Sequence, residues 1–589
     1  MLELTTPTVR SDQRLAAEFR PRKLEPWLAR LPRTDSGTHA KWLYKALSAQ
    51  NRIAIAAPVR LQLMELYVGP FQEFQASHVS DLRAIATIPL HPHYRGKQKA
   101  MLGLLEALAT GYKIAVVDLV TQRRAHNRRA NLALALQRAI YYIGRVILAA
   151  SEVYIRSPAG SWRELHELYR CAENEGLCET PVQATDQSSG TRHVLESYLQ
   201  ILLLGASGPL SLLPGEARRL HELAPQWCQA MKMMRAEELL SRSELSETGS
   251  FHPGHFRIKL SSDLPPLPLS KLPPGSVEHE NEVRVLRTLG VVRSMHDILT
   301  SLEDPFSRDA MEVELTMGIE PADTDLLRRV GRALGEVGIK RRSGRFPAEQ
   351  PLEFTVGFES ICEVCKDSLS HRMSPRPAPG VPEPGEDAGG EQFIDLAEPM
   401  LGVPIDGGAA ADQEPLPRPP RRPQSCQAWA DNESAGGLCL VVQRSMDLWV
   451  KVGDIGACRF SDSSRWQPAV VRWMRVGTRE VKFGVQFLSP LAVPLTAVGP
   501  DAGDGPGRRS EPVTVPAIWL PESPSLKHPG SIVLPRRAQP YPSSLRLIDG
   551  DAWPLSVRLL DRVERTGAYE QFLASVDSVD SASHSSLSS

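Results

Sequence analysis

Between residues 375 and 423 the sequence is dense in Pro, Gly, Glu and Ala and poor in aromatics. Such a stretch cannot bury enough apolar surface to offset the entropy of ordering it, so it is expected to be disordered. Whatever folds must therefore fold on either side of it. At 589 residues the chain is also too long for one compact core. Its 49 Pro and 42 Gly gather in a few stretches that read as joints, while 42% hydrophobic and 23% charged residues are those of globular domains. The expectation is an α+β multidomain chain of folded modules and linkers.

Upstream of the insertion the apolar residues recur at helical spacing. After an N-terminal tail (1–20), residues 21–250 read as a helical domain, either a bundle or solenoid-like, although no residue pattern repeats at a fixed period. The clearest signals are a helix over 132–154 and another over 161–176. In the second, Ser161 and Glu164 suggest a capping box, and Gly176 stands where a helix end favours a left-handed residue. A helix is also expected across 214–240. Residues 251–277 carry six prolines in the pattern of a linker, and a second helical segment, 278–338, follows it.

Charge and cysteine usage narrow the function classes. Lys plus Arg number 68 against 69 Asp plus Glu, so no global field favours a nucleic acid polymer. The most apolar run, 201–213, is broken by glycine and proline and is too short to span a bilayer, so no membrane span and a cytoplasmic location are expected. Eight scattered Cys read as reduced thiols; only Cys362 and Cys365 form a C-x-x-C pair, with no second pair to complete a zinc site, so no metal is expected. No phosphate loop, nucleophile elbow or HExxH appears, and no catalytic residue or cofactor is assigned. The pairs His91, His93 and His252, His255 lack matching carboxylates and read as loop features.

Beyond residue 339 the periodicity changes to short alternating strands, at 352–357, 438–443, 454–460, 466–476 and 481–488. Just before the first stands Lys340-Arg341-Arg342-Ser343-Gly344-Arg345, and after the insertion comes Asn432-Glu433-Ser434-Ala435-Gly436-Gly437. Here the chain resembles the PilZ domain family, whose signature is Arg-x-x-x-Arg ahead of the first barrel strand and (Asp/Asn)-x-Ser-x-x-Gly at the end of a later one. Phe483-Gly484-Val485-Gln486-Phe487 is similar to the strand that commonly closes the family's barrel. The resemblance covers 339–498, with the disordered insertion 375–423 between the motifs. A small C-terminal β module (512–570) and a Ser-rich tail (571–589) complete the chain.

The resemblance implies an antiparallel β-barrel and a bacterial second-messenger effector that binds cyclic di-GMP through Arg341, Arg345, Asn432, Ser434 and Gly437. The residue types suit that ligand, since a guanidinium grips phosphate through paired hydrogen bonds or reads the O6 and N7 of guanine. A short amide and hydroxyl at a turn add donors and acceptors, and glycine admits close backbone approach. A long insertion adds only logarithmically to the entropy of closing the barrel. Arg418 and Arg422 also read Arg-x-x-x-Arg, but no strand separates them from the second motif. A protein partner is expected on the helical half. The alternative is a structural adaptor or scaffold whose degenerate barrel binds no nucleotide.

Overall fold

The computed structural model describes residues 2–10, 19–33, 35–79, 92–122, 124, 126–183, 191–241, 254–272, 281–302, 308–335, 345–370, 425–444, 449–463, 465–489, 491–499, 514–522, 529–549 and 552–576. The expected disordered insertion, Arg341, Arg418, Arg422, His91 and His252 all lie outside these residues. The chain divides into two compact units near residue 340.

In the first unit the helices Ala57–Val79, Pro92–Thr121, Arg128–Glu152, Ser161–Asn174 and Val194–Ala206 enclose a core of Leu, Ala, Ile and Tyr side chains. Two segments, Tyr94–Thr121 and Arg128–Glu152, are long and apolar enough to cross a membrane by length and composition, though the sequence had pointed only to 201–213. Most of their apolar length is buried inside this core. The helix over 161–174 begins as expected, and its C-terminal Gly176 adopts a φ of 63°. Its N-terminus is not closed by a capping box. Asp263 accepts from the amides of Gly160, Trp162 and Arg163 at 2.7, 3.0 and 3.2 Å, while Glu164 pairs with Lys113 at 2.7 Å. A distant carboxylate at the positive helix end thus replaces the local side chain.

The helix expected across 214–240 is instead broken after Glu216–Leu223 by a 3-10 turn containing Pro225 and then by the strand Lys232–Arg235. That strand joins a four-stranded antiparallel sheet in the order Lys232–Arg235, Val283–Arg287, His255–Lys259, Leu267–Pro268. Residues read as linker and as helix therefore supply strands, because prolines flank them and the strands are only two to five residues long.

The second unit is built on two closed six-stranded antiparallel barrels. The strands of the first are β1 (Phe346–Val356), β2 (Ser425–Ser434), β3 (Gly437–Gln443), β4 (Ile455–Phe460), β5 (Gln467–Val476) and β6 (Glu480–Phe487). They close in the order β1-β2-β3-β6-β5-β4. Inward positions alternate: Cys426, Ala428 and Ala430 on β2 are buried between exposed Ser425, Gln427, Trp429 and Asp431. Phe354 and Phe483 meet in the interior with centroids 5.1 Å apart.

The second barrel follows directly, with β7 (Val493–Val498), β8 (Thr514–Leu520), β9 (Ser531–Pro535), β10 (Ser544–Asp549), β11 (Ala552–Arg565) and β12 (Tyr569–Val576). Its order is β7-β8-β9-β12-β11-β10, the same ring of neighbours as the first. The small β module expected at the C-terminus is thus a topological copy of the barrel before it. Between the barrels lies the helix Phe358–Ser370, where Cys362 and Cys365 are buried with Ile361 against Val470, Ile518, Val533 and Tyr569. These thiols fill an apolar interface, and burial pushes Cys365 up to about 12. Among the described residues no cluster of three or more His, Cys, Asp or Glu is placed to hold a metal.

Candidate functional site

Antiparallel pairing makes neighbours of residues on opposite sides of the insertion. Phe346 pairs with Glu433 and Pro347 with Asn432, so Arg345, directly before β1, stands beside the end of β2. The chain leaves β1 and re-enters β2 at the far end of the barrel, where Thr355 pairs with Ser425. The insertion is therefore tethered away from the rim that carries both motifs.

That rim is a tight hairpin. Ser434 pairs with Gly437 across the two-residue turn Ala435-Gly436, and its hydroxyl donates to the Gly437 carbonyl at 3.1 Å. The Phe487 amide donates to the Gly436 carbonyl at 3.0 Å, which fastens the turn to β6. Gly437 is required by strand approach: a Cβ there would lie 2.1 Å from the Val485 carbonyl oxygen. The motif glycine thus has a packing role whether or not a ligand approaches it.

A bulge between Ala430 and Asn432 leaves Asp431 as the extra residue on β2. The Asn432 amide donates to Asp431 at 2.9 Å, and the Lys482 ammonium of β6 lies 3.5 Å from the other Asp431 oxygen and 3.5 Å from Glu480. Asn432 faces Cys439, which in turn faces Gly484. Burial pushes the Cys439 thiol up to about 11; Asp431 adds to the rise, whereas Lys482 and Arg345 oppose it. Arg345, Asp431, Asn432 and Lys482 therefore share one neighbourhood. On the next strand the Trp473 indole occupies the space left by Gly484, where a Cβ would come within 1.9 Å of Nε1.

Of the five residues named from sequence, the register brings together Arg345, Asn432, Ser434 and Gly437; Arg341 lies outside the described residues. Sequence reasoning missed Asp431 and Lys482, whose proximity depends on the bulge and on the pairing of β3 with β6. The arrangement presents cations, amide and hydroxyl groups and an exposed backbone turn on the outer face of a barrel, which is the chemistry of an anion-binding surface.

Comparison with known proteins finds two family models along the chain. Residues 22–237 match the family model described as the N-terminal domain of the cyclic-di-GMP receptor FimW, and residues 409–494 match that of the same receptor's middle PilZ domain. The second match takes in Arg418 and Arg422 and leaves out Arg341, Arg345 and β1. A protein from Pseudomonas aeruginosa named cyclic-di-GMP receptor FimW is 25% identical over 603 residues, spanning 97% of this chain and 93% of that protein.

Proposed function

We propose that this PilZ-containing chain is a cytoplasmic, non-enzymatic receptor for cyclic di-GMP, which binds at the rim formed by the start of β1 and the β2–β3 hairpin. The observation that carries the reading is the register that sets Arg345 beside Asn432, Ser434 and Gly437 although the insertion separates them in sequence. The relative's name and the full-length similarity support the same ligand. Arg341, four residues ahead of Arg345, provides the second guanidinium, and the helical unit passes the bound state to a protein partner.

Arg345 is favoured over Arg422 by reach. Arg422 is three residues from Ser425, at most about 11 Å of chain. Ser425 and Asn432 stand toward opposite ends of β2, about 23 Å apart at roughly 3.3 Å per residue. Arg422 is thus tethered to the wrong end of the strand, whereas Arg345 adjoins the right one.

Calorimetry of the full chain with cyclic di-GMP tests this. Arg341→Ala and Arg345→Ala are each expected to weaken binding by about one to two orders of magnitude, since each removes charge-assisted hydrogen bonds. Arg418→Ala and Arg422→Ala are expected to leave it near the parent value. Ser434→Ala weakens it by about fivefold, as it deletes one neutral hydrogen bond. Absence of heat from the parent chain at micromolar ligand would favour the adaptor reading, and loss confined to Arg418 and Arg422 would move the site.

A further inference from the structure

An anion-binding rim gains from every cation and loses from every carboxylate placed on it, and this rim holds both within one ion pair. Lys482 is the third residue of β6, opposite Val441 on β3 and Arg475 on β5, two residues before the Gly484 that faces Cys439 and so lies in the same row as Asn432. Its side chain is only about a quarter exposed and is shared between Asp431 and Glu480, each at 3.5 Å, distances that are loose for charge-assisted bonds. Asp431 is the bulged residue, so its side chain sits beside that of Asn432 and is held there by the Asn432 amide. A carboxylate on this surface opposes a dianionic nucleotide directly, unless it is kept occupied by the lysine.

From this arrangement we infer that Lys482 is a phosphate-contacting residue of the site and that Asp431 restrains it in the ligand-free chain. The inference rests on the receptor reading above and deepens it. When the ligand docks, the ammonium exchanges two loose carboxylate contacts for one phosphate, while Asp431 keeps its bond from Asn432 and orients that amide. Two carboxylates near one lysine make the exchange easy to reverse, because each exposed pair contributes little in water. The bulge tunes affinity downward without removing any ligand contact.

Calorimetry of the full chain with cyclic di-GMP, at low and at physiological salt, separates the possibilities. Lys482→Met is expected to weaken binding about tenfold and to flatten its salt dependence, with Lys482→Arg recovering most of the loss. Asp431→Asn is expected to tighten binding a few-fold, roughly the strength of one exposed ion pair. The double variant should bind somewhat more tightly than Lys482→Met, since without the lysine the Asp431 carboxylate is left to oppose the phosphate directly. If Lys482→Met binds like the parent while Arg345→Ala is weak, this inference fails and the receptor reading stands. If neither variant changes binding, both fail. Weaker binding by Asp431→Asn would make Asp431 a supporting group and overturn its restraining role. Unchanged melting temperatures of the unliganded variants distinguish these effects from misfolding.

Discussion

The two barrels of the second unit share one ring of strand neighbours and differ at the rim. In the first, the segment entering β1 carries Arg345, and the strand beside it ends in Asn432, Glu433 and Ser434. In the second, Leu491 and Ala492 precede β7, and Val493 pairs with Trp519 near the end of β8. No arginine occurs between Arg479 and Arg508, and nothing at the equivalent turn reads as Asn-x-Ser-x-x-Gly. The same topology is thus used once with a rim that carries both motifs and once with a rim that carries neither. Strand order sets where a site can be placed, and the rim residues decide whether there is one. On this account the chain binds nucleotide at its first barrel alone.

The largest expected difference between the barrels lies in a glycine that both place at the entry to their third strand. Gly437→Ala would drive a Cβ to 2.1 Å from a backbone oxygen of β6, whereas the same change at Gly530 meets the Ala574 oxygen at 3.2 Å. Gly437→Ala is expected to destabilise the first barrel by roughly 3 kcal/mol or more, and Gly530→Ala by about 1 kcal/mol or less. Denaturant melts of the two variants check this. Equal losses would show that the rims are packed alike and that the motif glycine has no special place in the fold.

The interface between the barrels ranks next. Arg472, the bulged residue of β5, donates to both oxygens of Glu564 on β11, and the Tyr569 hydroxyl donates to Glu564 at 2.8 Å. Arg472→Ala takes the guanidinium away from a mostly buried carboxylate and is expected to cost about 2 kcal/mol, less than a fully buried pair because Arg472 is partly exposed. Glu564→Gln keeps only the hydrogen bonds to one oxygen, because its amide nitrogen cannot accept from the guanidinium, and is expected to destabilise as well. A single melting transition that splits in two in Arg472→Ala would show that this contact makes the barrels unfold together.

A smaller effect belongs to the first barrel and depends on pH. Burial raises the Asp454 carboxyl to about 7, against the opposing influence of Lys451, whose amide donates to it at 2.9 Å. The folded chain holds a proton that the unfolded chain has released, so stability falls as pH rises between about 4 and 7. Asp454→Asn removes that slope, with a gain in stability at pH 8 and little change at pH 4. Thermal melts at the two values read it directly; an equal shift at both would mean that the carboxyl is not held protonated.

Much of this was legible in the sequence, and the limits were physical. Alternation located β3 to β6 within a residue or two, and helical spacing found the helices over 132–154 and 161–176, because both patterns are local. Asp263 capping a helix about a hundred residues away left no local trace, nor did the short strands that prolines conceal. Within the β module expected at 512–570, β10 and β11 are separated in sequence by only Gly550 and Asp551. At the site, motif spacing pointed to Asn432, Ser434 and Gly437. Lys482 came into view only through the register of β3 against β6, which no spacing rule encodes.

The claim that one barrel binds and its copy does not is tested most directly by amide hydrogen exchange of the full chain with and without cyclic di-GMP. The account predicts slower exchange at residues 345–347, 431–439 and 482–487, and no change at residues 517–522 or 529–533. Protection at the second rim, or none at the first under saturating ligand, would contradict it.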